Sequence, residues 1–120
     1  MASLLAGARI LLVEDEALVA MMLEDMLLDL GCVVVGPAAR VDEAMELVRG
    51  EAIDAAVLDV NLANETVLPV AEALAARGVP FVFGTGYARV DMLGSFADRP
   101  VLHKPYRSSD LSEAIRRVVV

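Results

Sequence analysis

The sequence has little of what several protein classes need. It carries one cysteine, Cys32, which excludes an intramolecular disulfide and a cysteine-based zinc site. That cysteine falls in an apolar run, so a buried, inert thiol is expected. It carries one histidine, His103; with no second imidazole to share a metal, this reads as a packed or edge residue. Positive charge is scarce: ten Lys and Arg stand against eighteen Asp and Glu, for a net charge of −8. That argues against a nucleic-acid surface, which needs a basic stripe. No apolar run reaches the ~18 residues of a membrane span; the longest candidate, around Ala17–Leu30, is broken by Glu24, Asp25 and Asp29. No Lys or Arg precedes Arg9, so the start lacks the charged region of a signal peptide. There is no internal repeat, low-complexity tract or linker. A cytoplasmic protein without direct nucleic-acid or membrane contact is expected.

What is present is apolar. Hydrophobic residues make up 58% of 120 residues, which fits strands covered on both faces. The length implies one domain, residues 1–120, with an ordered core of about 8–119. A chain of this size buries roughly two-thirds of its unfolded surface and needs no metal or disulfide staple. Five short apolar runs read as strands over 10–14, 32–35, 55–59, 80–84 and 100–103. Helices are expected over Leu18–Leu30, Asp42–Arg49 and Val67–Arg77, each stopped by a glycine: Gly31, Gly50 and Gly78. Pro69 is tolerable only in a first helical turn. Ser109–Val118 reads as a final helix with arginines near its C-terminal end. The weakest helix candidate is Arg89–Asp98, which contains Gly94. This alternation indicates a parallel α/β sheet with helices on both faces. In such sheets ligands sit beyond the carboxyl ends of the strands.

Those ends carry the chemistry. The first strand runs into Glu14-Asp15, the third ends in Asp59, the fourth in Gly84-Thr85-Gly86, and the fifth in Lys104-Pro105. Two carboxylates ~4 Å apart repel by roughly 4 kcal/mol at an effective dielectric near 20. A cluster of Glu14, Asp15 and Asp59 therefore calls for a cation beyond Lys104. Mg2+ suits a site of one or two carboxylates, waters and phosphate oxygens, and Mn2+ could replace it. A carboxylate can also be a nucleophile, giving an acyl phosphate. Asp59 would attack phosphorus in line, with Mg2+, Lys104 and the Thr85 hydroxyl on the phosphoryl oxygens. The backbone carbonyl of Asn61, two residues on, could complete the metal shell.

The segments Leu12-Val13-Glu14-Asp15-Glu16, Leu58-Asp59-Val60-Asn61-Leu62, Thr85-Gly86-Tyr87 and Lys104-Pro105-Tyr106 occur in this order, each ending a strand candidate. With them the chain resembles, over nearly its whole length, the receiver domains of two-component response regulators, including the stand-alone chemotaxis type. The resemblance implies a flavodoxin-like (βα)5 sandwich with sheet order 2-1-3-4-5. It implies Asp59 as phosphoacceptor, Asp15 as direct Mg2+ ligand and Glu14 as holder of a metal-bound water. It implies Thr85 as the switch hydroxyl, Lys104 as the phosphate-binding lysine, and a cis peptide between Lys104 and Pro105. The implied partners are a histidine kinase or histidine phosphotransfer protein as donor and a downstream protein target. A homodimer would use the face of the fourth helix, fifth strand and fifth helix.

This chain departs from the pattern in places. Val101 stands where receivers often carry an aromatic that turns inward with the threonine; Tyr87 and Tyr106 are candidates to share that role. Phe83-Gly84-Thr85-Gly86 resembles a subgroup with Phe-Ala-Thr-Gly there, whose members also lack the aromatic and have a short or irregular fourth helix. The Asn61–Thr66 loop lacks a proline that many receivers carry. Asn61 and Tyr87 flank the expected phosphoryl position and could steer an attacking water. The Met-rich first helix has more apolar surface than a core requires, which suits docking of the phosphodonor. The final helix ends at Val120, so output is expected through protein contacts, as a phosphate sink, or through an effector domain outside this sequence.

Two rival readings remain. An aspartyl phosphatase would want a second acid two residues after the nucleophile, where Asn61 stands. A phosphorylation-independent interaction module would not need Asp15, Asp59, Thr85 and Lys104 together.

Overall fold

The computed structural model describes residues 5–62, 65–85, 95–96 and 98–119, with Asn61 by its backbone alone. The strands are β1 (Arg9–Val13), β2 (Val33–Ala38), β3 (Ala55–Asp59), β4 (Asn61–Leu62), β5 (Glu65–Thr66), β6 (Phe81–Thr85) and β7 (Val101–His103). The helices are α1 (Ala17–Asp29), α2 (Val41–Gly50), α3 (Leu68–Ala76) and α4 (Ser108–Val119). The main sheet has the order β2-β1-β3-β6-β7, and every pairing in it is parallel. This is the expected flavodoxin-like order. The Arg89–Asp98 helix candidate lies outside the described residues, save a short turn at Ser95–Phe96 and Asp98.

The central strands β3 and β6 are buried at every position, as continuous apolar runs require of strands covered on both faces. Alternation then divides the core in two. Leu11, Ala56, Leu58, Phe81 and Phe83 meet α2 and α3 through Ala44, Val48, Val70 and Leu74. Ile10, Leu12, Val57, Val82 and Leu102 meet α1 and α4 through Leu23, Leu27, Leu111 and Ile115. Leu5, ahead of the expected core, is fully buried in this second layer, as is Cys32 apart from a sliver, and burial pushes its thiol pKa up.

Helix ends follow local chemistry. Gly31 (φ 87°) lets the chain reverse after α1, and Cys32 N–H returns to the Leu27 carbonyl at 3.0 Å. Pro69 sits in the first turn of α3, where its missing N–H breaks no bond. In α2, Asp42 and Glu43 occupy the first turn and Arg49 the last, matching the helix dipole.

Two features differ from the sequence reading. Strand β2 continues past residue 35 through Gly36-Pro37 to Ala38, with a register shift against β1 between Leu11 and Val13. Proline is admissible there because β2 is an edge strand. Gly36 has φ 101°, and an added Cβ would lie 2.9 Å from Ala38 N and 3.0 Å from the Leu12 carbonyl oxygen. The second feature is the antiparallel pair β4–β5, with Asn61 opposite Thr66. Glu65 of this pair accepts the Val41 N–H at 3.3 Å, which ties the segment after β3 to the start of α2.

Phe81 holds one layer together. Its ring meets Phe83 and Phe96 edge-on, with centroids 5.4 and 5.3 Å away, and the Arg99 guanidinium lies 4.5 Å from its centroid. Phe81→Ala is expected to lower stability by about 3–5 kcal/mol through the lost burial and the cavity left behind. Urea unfolding checks this; a loss under about 1 kcal/mol would mean that the layer collapses onto the gap.

Candidate functional site

Past their last residues, three strands keep exchanging backbone hydrogen bonds. Glu14 N–H reaches the Ala38 carbonyl at 2.9 Å, Val60 N–H the Gly84 carbonyl at 3.0 Å, and Lys104 N–H the Thr85 carbonyl at 2.9 Å. The ladder therefore fixes the backbone at the strand tips rather than leaving it to loops. The register places Asp59 beside Gly84, and Thr85 beside His103.

This framework brings the expected residues together. Glu14, Asp15 and Asp59 each present an oxygen, and the three lie within 4.8 Å of one another. Glu14, Asp59 and Thr85 are buried polar residues, 2, 4 and 5% exposed, whereas Asp15 is half-buried. Buried carboxylates demand a counter-charge. The Lys104 ammonium lies 3.3 Å from Glu14 Oε1 and 3.5 Å from Asp59 Oδ2. The Lys104–Pro105 peptide is cis, as the resemblance implied. The backbone of Asn61 lies in β4, two residues beyond Asp59; Tyr87 lies outside the described residues. His103 is exposed on the edge strand β7, in keeping with an edge residue.

Glu16 is an addition to the site. Its carboxylate lies 3.4 Å from Lys104 Nζ, so one ammonium faces three acids. Its own N–H donates to Glu14 Oε2 at 3.1 Å, and its carbonyl accepts the Ala20 N–H that opens α1. The signal was in the Glu14-Asp15-Glu16 run, but a residue ahead of a helix reads first as a solvated first-turn acid. Burial alone would lower the Lys104 pKa; the charges of Asp59, Glu14 and Glu16, with a hydrogen bond to Glu14, outweigh it and hold the group above its ordinary value. Lys104 is thus a fixed cation throughout the neutral range.

The donor set fits a hard divalent ion. Among the described residues, the buried Glu14 Oε1 has no partner but the Lys104 ammonium, 3.3 Å away. Such an atom suits a metal-bound water, and three clustered carboxylates carry more negative charge than one lysine neutralises. Arranged this way, the cluster can hold an oxygen-liganded cation, with the Lys104 ammonium beside Asp59.

Fold and site together define a parallel α/β domain with an acidic, cation-ready pocket at one sheet edge. The profile of the response regulator receiver domain matches residues 10–116, and the chain belongs to that family of two-component signalling proteins. Among solved structures it is similar to SdrG from Sphingomonas melonis Fr1, with 48% identity, a TM-score of 0.84, and coverage of 95% of this chain and 98% of that one. It is also similar to the BeF3-activated conformation of SdrG, with 49% identity, a TM-score of 0.79, and coverage of 96% and 98%. The transcriptional regulatory protein PdtaR of Mycobacterium tuberculosis is 33% identical over 115 residues, 92% of this chain and 56% of PdtaR. The chain thus spans little more than half the length of that curated relative. Receiver domains bind Mg2+ at an acidic pocket and interact with histidine kinases or phosphotransfer proteins. Among the described residues, no helix is long and apolar enough to cross a membrane.

Proposed function

We propose that this chain is a phospho-accepting switch that takes a phosphoryl group from a phosphohistidine protein onto Asp59 in a Mg2+-dependent reaction. The observation that carries this reading is the meeting of one ammonium and three clustered carboxylates, from β1, β3 and β7, at one sheet edge. An Asp59 oxygen attacks phosphorus; the O–P bond forms, the N–P bond breaks, and the donor imidazole leaves with the electron pair. Lys104 holds a phosphoryl oxygen, and the Thr85 hydroxyl at the end of β6 hydrogen-bonds another. Asp15, Asp59 and the Asn61 carbonyl would hold Mg2+ directly, and Glu14 would hold it through water. When bound, the ion supplies neutralisation of phosphoryl charge. The added charge biases a pre-existing equilibrium between two conformations. The protein acts as a switch that assists its own phosphorylation and dephosphorylation rather than as an enzyme with a separate substrate.

The donor is proposed to dock on α1. Leu18, Met21, Met22 and Leu28 are 81, 59, 41 and 54% exposed, on the helix that starts just after the acid cluster. Flexible methionines suit a docking surface. A downstream target or a second copy would use the face of β7, the last strand in the order of the main sheet, and α4.

Intact mass after incubation with acetyl phosphate tests the reading. With Mg2+ the chain should gain the mass of one phosphoryl group; with EDTA it should gain none. A chain that stays unmodified with Mg2+, and is also unperturbed by beryllofluoride, is not a phosphoacceptor. SdrG, described in a BeF3-activated conformation, makes beryllofluoride the natural analogue.

A further inference from the structure

We propose that Gly84 and Tyr106 form a matched pair that sets the position of the β6 tip, with Tyr106 acting as a positioning residue for the phosphoacceptor site. This rests on the phosphoacceptor reading above. Gly84 lies between Phe83 and Thr85, in register with Asp59 on one side and Leu102 on the other. Its φ is not in the left-handed region, so conformational freedom does not explain a glycine here. Space does. A Cβ added at Gly84 would overlap the Tyr106 hydroxyl and lie 2.9 Å from its Cζ. The phenol thus occupies the volume where any other residue carries its first side-chain carbon, and interior glycines in strands mark such close approaches.

The place of this contact matters. Tyr106 stands two residues beyond Lys104 and is 6% exposed. It is the one aromatic among the described residues in the α1–α4 layer, the phenylalanines and Val101 lying in the other. The backbone that it touches carries two of the ladder bonds that fix the site, through the Gly84 carbonyl to Val60 and the Thr85 carbonyl to Lys104. A shift of the ring moves Thr85, Val60 and Lys104 together. Burial pushes the phenol pKa up, and the charges of Glu14, Asp59 and Glu16 push it the same way. The group is therefore a neutral hydroxyl within the field of the carboxylate that gains the phosphoryl group.

A double-mutant cycle on the full chain tests this, with beryllofluoride half-saturation at saturating Mg2+ followed by the Thr85 amide resonance. Gly84→Ala should weaken beryllofluoride binding about tenfold, and Tyr106→Phe about threefold. In the Tyr106→Phe background, Gly84→Ala should lose about fivefold, less than in the parent, because the overlapping hydroxyl has gone while Cζ, 2.9 Å away, still crowds the new Cβ. Affinity for Mg2+ alone should stay within about twofold in all variants, since Glu14, Asp15 and Asp59 are untouched; a role in folding alone would not separate the two ligands. Additive losses, a Gly84→Ala variant that binds like the parent, or equal losses for both ligands would overturn the pair. If Gly84→Ala fails to fold, Tyr106→Phe decides alone, and parental half-saturation overturns the proposal. A parent that ignores beryllofluoride sinks the phosphoacceptor reading and this proposal with it; a responsive parent with additive variants sinks only the pair.

Discussion

Asp59→Asn will take up no phosphoryl group from acetyl phosphate and Mg2+, under conditions that label the parent. Asparagine keeps the shape of the side chain, so the ladder bonds beside it, Val60 N–H to Gly84 and Lys104 N–H to Thr85, have no reason to move. What disappears is the charge of a carboxylate that lies 3.5 Å from Lys104 Nζ, belongs to the acid cluster and is the nucleophile of the proposed reaction. An amide oxygen in its place is a poor nucleophile and cannot carry a stable acyl phosphate. Lys104 still has Glu14 and Glu16, at 3.3 and 3.4 Å, so no buried charge is stranded and the variant should fold. The effect is thus expected as an all-or-none loss in intact mass, with a native circular dichroism spectrum. Labelling that persists at another residue would refute the assignment of Asp59.

Much of this geometry was legible in the sequence because parallel sheets write it plainly. Ala55–Leu58 is apolar without alternation, as a strand covered on both faces must be, so the charge that ends it marks a strand tip. The same holds for Ile10–Val13 before Glu14 and for Phe81–Phe83 before Gly84-Thr85. Once the strands are parallel, the tips share one edge, and four distant residues become neighbours without any knowledge of side-chain contacts. The less legible parts depend on pairings that local pattern does not encode. The second strand reads as ending at residue 35, and Gly36-Pro37 joins it only because β2 is an edge with a register shift. The β4 and β5 strands have two residues each, too short for any period to appear. Glu16 meets Lys104 across 88 positions, and a tyrosine that fills the missing Cβ of Gly84 leaves no local trace. Leu5 precedes the first periodic run and becomes core only through the sheet that forms behind it.

Asp15→Asn is expected to move metal affinity and stability in opposite directions. Without Mg2+, the parent holds Glu14, Asp15 and Asp59 with oxygens within 4.8 Å. At that distance two unit charges repel by about 3 kcal/mol at an effective dielectric of 20. Lys104 and solvent at the half-buried Asp15 weaken this, so the net gain from neutralising Asp15 should be about 1 kcal/mol, or about 4 °C in melting temperature for a domain of this size. With Mg2+ the order should reverse. Removing one charged ligand from a site of hard oxygens lowers affinity by about tenfold or more. The parent gains about 2.7 kcal/mol at a ligand concentration one hundred times its Kd, while the variant gains far less. Thermal melts in EDTA and in Mg2+, beside a direct Mg2+ titration, read both effects on the same samples. An Asp15→Asn variant that melts below the parent in EDTA would contradict crowding of the acids, and an unchanged Mg2+ affinity would remove Asp15 from the metal shell. The crossing of the two orders is the informative outcome, because loss of packing or of a hydrogen bond would lower the melting temperature in both buffers alike.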